Sequence, residues 1–233
     1  MRTGRAPVHL VRGVSDALAS SYGCDVARAR RQHAAYCEAL GDTVALPADP
    51  RLADCCFPED TAVVEGERAL ITRMGAPARR PECVAVAGFL LERGLRIRRM
   101  GPPATLDGGD VLRVGPRVFV GLSARTNRAG VRVLEEFLGR PCTPVPVERC
   151  LHLKTACTAL DERTVLLNPE WVDREFFAGL AIVEAASPNA LVAGGTCLVA
   201  SPATAAAVPG ARLLDISEFE KAFGGLTCLS LRL

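Results

Sequence analysis

The sequence predicts an α/β protein, a five-bladed α/β propeller of ββαβ units with pseudo-fivefold symmetry. Three observations lead there: an order of strand, strand, helix, strand that recurs along the chain, glycines that punctuate the copies at matching places, and two unmatched ends that complete each other. In the first copy, apolar segments at 60–64 and 69–73 flank the turn Glu65-Gly66-Glu67, a hairpin signal, and a helical pattern at 80–93 stops at Gly94 before an alternating strand at 95–99. The second places strands at 110–114 and 117–121 around Gly115-Pro116, a helix at 126–138 closed by Gly139, and a strand at 143–147. The third runs as a strand at 151–160, a turn at Asp161-Glu162, a strand at 164–167, a helix at 169–178 and a strand at 181–184. In the fourth, strands at 189–193 and 196–200 flank Gly194-Gly195, a helix at 202–208 starts with Pro202 and takes Ser201 as its cap, and 211–214 is the closing strand.

A strand at 226–231 has no successor, while the beginning of the chain offers a strand at 7–12, a helix at 25–40 and a strand at 43–46. Joined, they make a fifth copy. Residues 1–233 are therefore read as one domain whose ring closes where 226–231 pairs with 7–12, which removes open sheet edges. An open α/β sandwich is the other architecture these elements allow.

Composition narrows the function. With 49% hydrophobic and 23% charged residues, the 233-residue chain can bury a sizeable core. Its 28 basic and 26 acidic residues leave a net charge of +2, too little for a nucleic-acid footprint. No apolar run near the start is long enough for a signal-peptide core, and the longest uncharged window, between Glu184 and Arg212, is broken by Pro188, Gly194, Gly195, Pro202, Pro209 and Gly210, so neither export nor a membrane span is expected. Ten cysteines without a C-x-x-C pair read as reduced thiols of a cytoplasmic protein. There is no G-x-G-x-x-G or P-loop sequence to cradle a nucleotide, and no cofactor or metal is expected.

Three histidines are available for acid–base work. His33 falls inside a helical pattern and His9 in a short strand, where packing explains them. His152 lies at the start of the first strand of its unit, and the matching starts carry Asp60, the Asp107 to Asp110 turn, Asn189 and Cys228. In a ring these starts converge on the axis, where polar groups are costly to bury without a purpose. Cys228, His152 and Asp107 can serve as nucleophile, proton-transfer partner and orienting acid, although any one of ten cysteines is equally well read as a small buried thiol. Gly108-Gly109 permits a close backbone approach. In Asp54-Cys55-Cys56-Phe57-Pro58-Glu59-Asp60, three carboxylates beside one aromatic ring suit a flat cation, or make a solvated turn. Arg73 and Arg125 are placed to clamp a carboxylate, unless they are ordinary surface charges. The set points to a zwitterionic ligand that carries a guanidinium.

On these residues the chain resembles the dimethylarginine dimethylaminohydrolase family of the pentein superfamily of guanidine-modifying enzymes. The resemblance is carried by Phe57-Pro58-Glu59-Asp60, Ala69-Leu70-Ile71-Thr72-Arg73, Thr105-Leu106-Asp107-Gly108-Gly109-Asp110, Gly121-Leu122-Ser123-Ala124-Arg125-Thr126-Asn127, Leu151-His152-Leu153-Lys154 and Gly225-Leu226-Thr227-Cys228-Leu229-Ser230. It implies the pentein fold, hydrolysis of N-ω-methylated arginine to citrulline and an amine, Cys228 as nucleophile, His152 as general acid and base, and Asp107 as the acid that orients the imidazole. It further implies that Asp60 and Glu59 hold the guanidinium, Arg73 and Arg125 the α-carboxylate and Asp54 the α-amine, that Phe57 and Ala222 line the pocket, and that Val14 stands at the lid. It is compatible with a homodimer. Two departures stand out: Phe223 replaces an acidic residue common in the family, and the segment from Leu153 to Leu226 is shorter than in mammalian members. Arginine deimination, hydrolysis of another substituted guanidine, and a non-catalytic role like that of the ribosomal anti-association factor of the same architecture are the alternatives.

Overall fold

The computed structural model describes residues 8–233. After the strand β1 (His9–Arg12) and a short helix α1 (Ala17–Tyr22), Asp25 accepts a hydrogen bond from the Arg28 N–H and so starts α2 (Val26–Leu40). Its buried Ala29, Gln32, Tyr36 and Leu40 recur at helical spacing. The strand β2 (Thr43–Leu46) then lies parallel to β1. The expected strand start at Pro7 lies outside the described residues. The sequence reading missed α1, a six-residue helix with no side-chain cap that ends at Gly23 in the left-handed region.

The next two units follow the expected order closely. In one, β3 (Ala62–Glu65) and β4 (Arg68–Ile71) form a hairpin, and α3 (Glu82–Glu92) returns the chain so that β5 (Arg96–Arg99) pairs parallel to β4. In the other, β6 (Val111–Val114), β7 (Arg117–Leu122), α4 (Arg128–Leu138) and β8 (Thr143–Pro146) repeat the pattern, with Asn127 capping α4 through the Gly130 N–H. The third unit departs. The expected strand at 151–160 begins as one helical turn, α5 (Leu153–Ala156), and only then becomes β9 (Cys157–Ala159), because the Leu153 N–H is drawn to the buried Asp110 carboxylate at 2.9 Å. After β10 (Thr164–Leu167), the expected helix at 169–178 shrinks to a single tight turn at Arg174–Phe177 before β11 (Ala181–Glu184). Asn168 and Asp173 accept hydrogen bonds from the N–H groups two residues onward, a local alternative that competes with a continuous helix.

In the fourth unit β12 (Ala190–Ala193), β13 (Thr196–Val199), α6 (Pro202–Ala207) and β14 (Arg212–Leu213) keep the order, but Ser201 makes no capping bond. Past α7 (Ser217–Glu220), the expected strand at 226–231 is mostly a tight turn, Thr227–Leu229, and only β15 (Leu231–Arg232) pairs, antiparallel to β1 through His9 with Arg232 and Leu10 with Leu231. The cause is Tyr36. Its wholly buried hydroxyl lies 2.8 Å from both the Leu226 carbonyl and the Ser230 hydroxyl and so gathers the segment into a turn.

The described residues thus form five three-stranded sheets, each with its middle strand antiparallel to one neighbour and parallel to the other. Successive units are stitched by side chains near the starts of their first strands. Asp60 accepts from the Gly109 N–H at 2.8 Å, Asp110 from Leu153 at 2.9 Å, Thr158 from Ala190 at 3.2 Å, and Asn189 from Leu226 at 2.6 Å. Each bond also satisfies a backbone donor that would otherwise be buried alone.

Tyr36→Phe removes the hydroxyl that gathers residues 226–230 and leaves a buried carbonyl unpaired. Denaturant titration should show a loss of about 1–3 kcal/mol. A change within about 0.5 kcal/mol would mean that the turn holds itself.

Candidate active site

The site is assembled from the turns that precede the first strands. Cys228 stands at the middle of the 227–229 turn, and its N–H donates to the Gly225 carbonyl at 3.2 Å. The turn Pro58–Thr61 packs beside it and supplies Glu59 and Asp60. Burial, and after it the negative charges of Glu59 and Asp60, pushes the Cys228 thiol up to about 12. Without a cation nearby the sulfur is therefore protonated at neutral pH.

His152, 3% exposed, faces two acids: Nε2 lies 3.0 Å from Asp107 Oδ2, and Nδ1 lies 3.9 Å from Asp60 Oδ1. Asp107, wholly buried, is held from its other side by the Gly75 N–H at 2.8 Å. Burial opposes the imidazolium, but the Asp60 charge and the Asp107 hydrogen bond prevail and raise His152 to about 9. Because that value exceeds the ordinary 6.5, these contacts stabilise the fold fully below pH 6.5, and their contribution is lost as pH rises through about 9. Gly108-Gly109 is required by proximity. A Cβ on Gly109 would stand 2.6 Å from His152 Nδ1 and 2.8 Å from Asp60 Oδ1, and one on Gly108 would run into the Glu59 carbonyl.

The two acids beside the sulfur differ. Asp60 is already engaged, by Gly109 N–H on Oδ1 and by the Arg79 guanidinium on Oδ2 at 2.7 Å. Although burial works against its ionisation, the charges of His152 and Arg79 hold it down at about 2. Glu59 accepts from the Lys154 ammonium through Oε1, while its Oε2 is buried with no hydrogen bond among the described residues. Burial raises the Glu59 carboxyl, against the pull of Lys154.

Asp54 presents a buried Oδ1 with no hydrogen bond among the described residues, and its Oδ2 lies 3.6 Å from Arg79 Nε. Tyr22, on α1, neighbours that carboxylate; burial and the Asp54 side chain raise its hydroxyl to about 12. Arg125 has a buried, unpartnered Nη1, and its backbone packs so closely on Gly75 that no Cβ would fit there. Arg73, two residues before Gly75, is half-buried and reaches the Ala104 carbonyl at 3.4 Å. Val14, Phe57 and Ala222 belong to one buried apolar cluster against which Cys228 packs. The Phe57 ring, 4% exposed, meets Phe219 edge-on at 6.1 Å and lies under Gly224. It is a support for the 219–225 loop more than an open wall. Phe223 sits above it, 73% exposed and at φ 59°.

Asp60, Asp107 and His152 place one potential ligand atom each within 4.8 Å of one another, a geometry that a divalent cation could use. The chemistry of the set argues otherwise, since its atoms already serve the imidazole pair and the Arg79 and Gly109 bonds.

An arginine deiminase family model matches residues 29–196. The dimethylarginine dimethylaminohydrolase of Streptomyces coelicolor is 38% identical over 96% of both chains, and that of Pseudomonas aeruginosa is 32% identical over 95% of both. The chain belongs to the dimethylarginine dimethylaminohydrolase family. A solved structure of the Pseudomonas aeruginosa protein complexed with citrulline superposes with a TM-score of 0.90 at 28% identity, covering 99% of this chain and all of that one. The N-terminal domain of a cyanobacterial arginine dihydrolase, at 16% identity and a TM-score of 0.85, shares the fold, with 97% of each chain covered. The sheets and these superpositions make the architecture the five-bladed pentein propeller and exclude the open sandwich. Among the described residues no helix is long and apolar enough to cross a membrane.

Against this family background, the sequence reading overlooked two cations. Arg79 sits among Asp54, Asp60 and Glu82, bidentate to Glu82 at 2.8 and 3.0 Å, and burial lifts the Glu82 carboxyl to about 7. The signal for it was Glu82 three residues after Arg79, the spacing of a helical ion pair. Lys154 could have been found by its rarity, because only it and Lys221 among the 28 basic residues are lysines.

A neutral haloacetamide should alkylate Cys228 slowly at pH 7, the rate climbing about tenfold per pH unit toward the thiol's value near 12. A haloacetamidine, which brings its own positive charge, should react at least about tenfold faster at pH 7. Equal rates, followed by mass spectrometry of the modified peptide, would show that the acids do not act on the sulfur.

Proposed function

We propose that this protein hydrolyses N-ω-methylated arginine to citrulline and methylamine or dimethylamine through a covalent S-alkylthiouronium on Cys228. One observation carries the reading: Glu59, which with Asp60 flanks the Cys228 thiol, keeps a buried Oε2 with no hydrogen bond among the described residues, and Asp54 Oδ1 and Arg125 Nη1 are likewise a buried acceptor and a buried donor without one. Two acceptors and one donor complement an α-amine, a guanidinium and an α-carboxylate. The family membership and the citrulline complex of the related structure support the same substrate class.

A guanidinium spreads its charge over three nitrogens and is a weak electrophile, so it must be fixed in plane and met by a strong nucleophile. Glu59 and Asp60 fix the plane. The substrate's positive charge offsets the field of these acids and favours the Cys228 thiolate, whose proton leaves to solvent. The sulfur then attacks the central carbon to give a tetrahedral adduct. His152, protonated at neutral pH and steadied by Asp107, gives its proton to the departing nitrogen as the carbon–nitrogen bond breaks. The neutral imidazole next takes a proton from water as that oxygen attacks the thiouronium carbon, and the carbon–sulfur bond breaks to release citrulline. Arg73 and Arg125 on the α-carboxylate, Asp54 on the α-amine, and Val14, Phe57 and Ala222 around the chain complete the proposed site. Ten unpaired thiols support work in the reducing cytoplasm.

Arginine deimination is the second reading, favoured by the family model that matches residues 29–196. Citrulline release from dimethylarginine, monomethylarginine and arginine, assayed side by side, separates the two. Release from the methylated substrates that vanishes in Cys228→Ser is expected; release from arginine alone would establish deimination, and none from any would favour a binding role. His152→Ala should still accumulate adduct by mass spectrometry while kcat falls by about 10²–10⁴. Full turnover in that variant would remove His152 from the mechanism.

A further inference from the structure

The nucleophile and the imidazole reside in different units of the ring, Cys228 on the turn before β15 and His152 at the entrance to α5, and both turns are short segments with little internal hydrogen bonding. Something must fix one against the other. The side chain that spans them is Asn189, from the unit that lies between them in sequence. Its Oδ1 accepts from the Leu226 N–H at 2.6 Å, two residues before Cys228. Its Nδ2 donates to the Lys154 carbonyl at 3.2 Å, two residues after His152, and approaches the Thr227 hydroxyl at 3.4 Å. Gly225 lies so close that an added Cβ would sit 2.5 Å from this amide, so the nucleophile's turn rests directly on it. The amide is itself held from behind, because Thr158 Oγ1 donates to the Pro188 carbonyl at 2.7 Å and accepts from the Ala190 N–H at 3.2 Å, the residues on either side of Asn189.

We infer that Asn189 is a positioning residue that sets the Cys228 turn against the His152 turn through one side-chain amide. The inference rests on the proposed roles of Cys228 and His152. Only an amide fits both bonds at once: an acceptor is needed for Leu226 and a donor for Lys154, on one planar group. Asn189 is given no part in binding substrate, since the groups that face the guanidinium and the carboxylate belong to other turns. Its removal should therefore act on the chemical steps, which need sulfur and imidazole in register, and not on affinity; a displacement of about 1 Å at a reacting centre costs on the order of 100-fold in rate.

The test is steady-state kinetics with dimethylarginine on wild type, Asn189→Ala, Asn168→Ala and Cys228→Ser, with thermal unfolding of each. Asn168 is a more deeply buried asparagine whose side chain bonds the Ala186 carbonyl and the Glu170 N–H; only its backbone N–H, which alanine retains, reaches the His152 turn, at the Ala156 carbonyl, so its truncation reports on destabilisation. Asn189→Ala is expected to lower kcat about 100-fold with KM within about threefold, whereas Asn168→Ala keeps kcat within about threefold at a similar loss of melting temperature. The inference is overturned if Asn189→Ala keeps kcat within about threefold, if KM rises with kcat unchanged, or if Asn168→Ala loses kcat equally. Turnover by Cys228→Ser would instead overturn the reading of the site itself. Should the alanine variant not fold, Asn189→Asp keeps the acceptor for Leu226 and loses the donor to Lys154. A kcat at least about tenfold lower at unchanged KM then supports the inference, and a kcat within about threefold refutes it.

Discussion

Buried polar groups around the pseudo-fivefold axis must find partners, and in this protein they find them in the neighbouring unit. Asp60, Asp110, Thr158 and Asn189 each accept a backbone N–H from the unit that follows. Gly109, Leu153 and Leu226 donate from the segments that carry Asp107, His152 and Cys228, whereas Ala190 opens β12. The same bonds thus join neighbouring units and fix the turns of the candidate site. Asp110 shows the economy of the scheme: Ser123 and Thr126 occupy one oxygen at 2.6 Å each and Leu153 the other, using most of the carboxylate's hydrogen-bonding capacity. Asp60 and Glu59, by contrast, keep part of theirs.

Charge balance decides what that spare capacity means. Asp54, Glu59, Asp60 and Glu82 are countered by Arg79 and Lys154 within the same region, and the remainder is negative. A thiolate added there meets repulsion, which adds to the larger effect of burial in keeping Cys228 a thiol. An incoming guanidinium reverses the sign of that argument. The internal guanidinium of Arg79 already occupies one Asp60 oxygen, so Glu59 Oε2 is the more available anchor for an external one. Glu59 and Asp60 thus disfavour the thiolate at rest, and a cation bound against them would favour it.

Much of this was legible in the chain itself. The hairpins, the helices α3 and α4 and their glycine stops were readable because local propensity and tertiary structure agree there. The third and last units were misread for one physical reason. Residues 151–156 and 226–230 carry strand-like apolar patterns, but Asp110 and Tyr36, distant in sequence, pull their backbones into turns. The helix expected at 169–178 failed for a local reason, the competing bonds of Asn168 and Asp173. The buried pair of His152 and Asp107, and a thiol set beside Glu59 and Asp60, were foreshadowed by matching places in the repeat. Arg79 was harder to read, because Glu82 three residues on marks a local pair and not that this arginine folds back among three carboxylates.

The pairing of β15 with β1 also decides where the sulfur stands. Cys228 is borne by the segment that joins the last unit to the first strand, so its place beside Glu59 and Asp60 depends on that seam. Two paired residues at the end of the chain, Leu231 and Arg232, thus tether a thiol to acids carried far upstream.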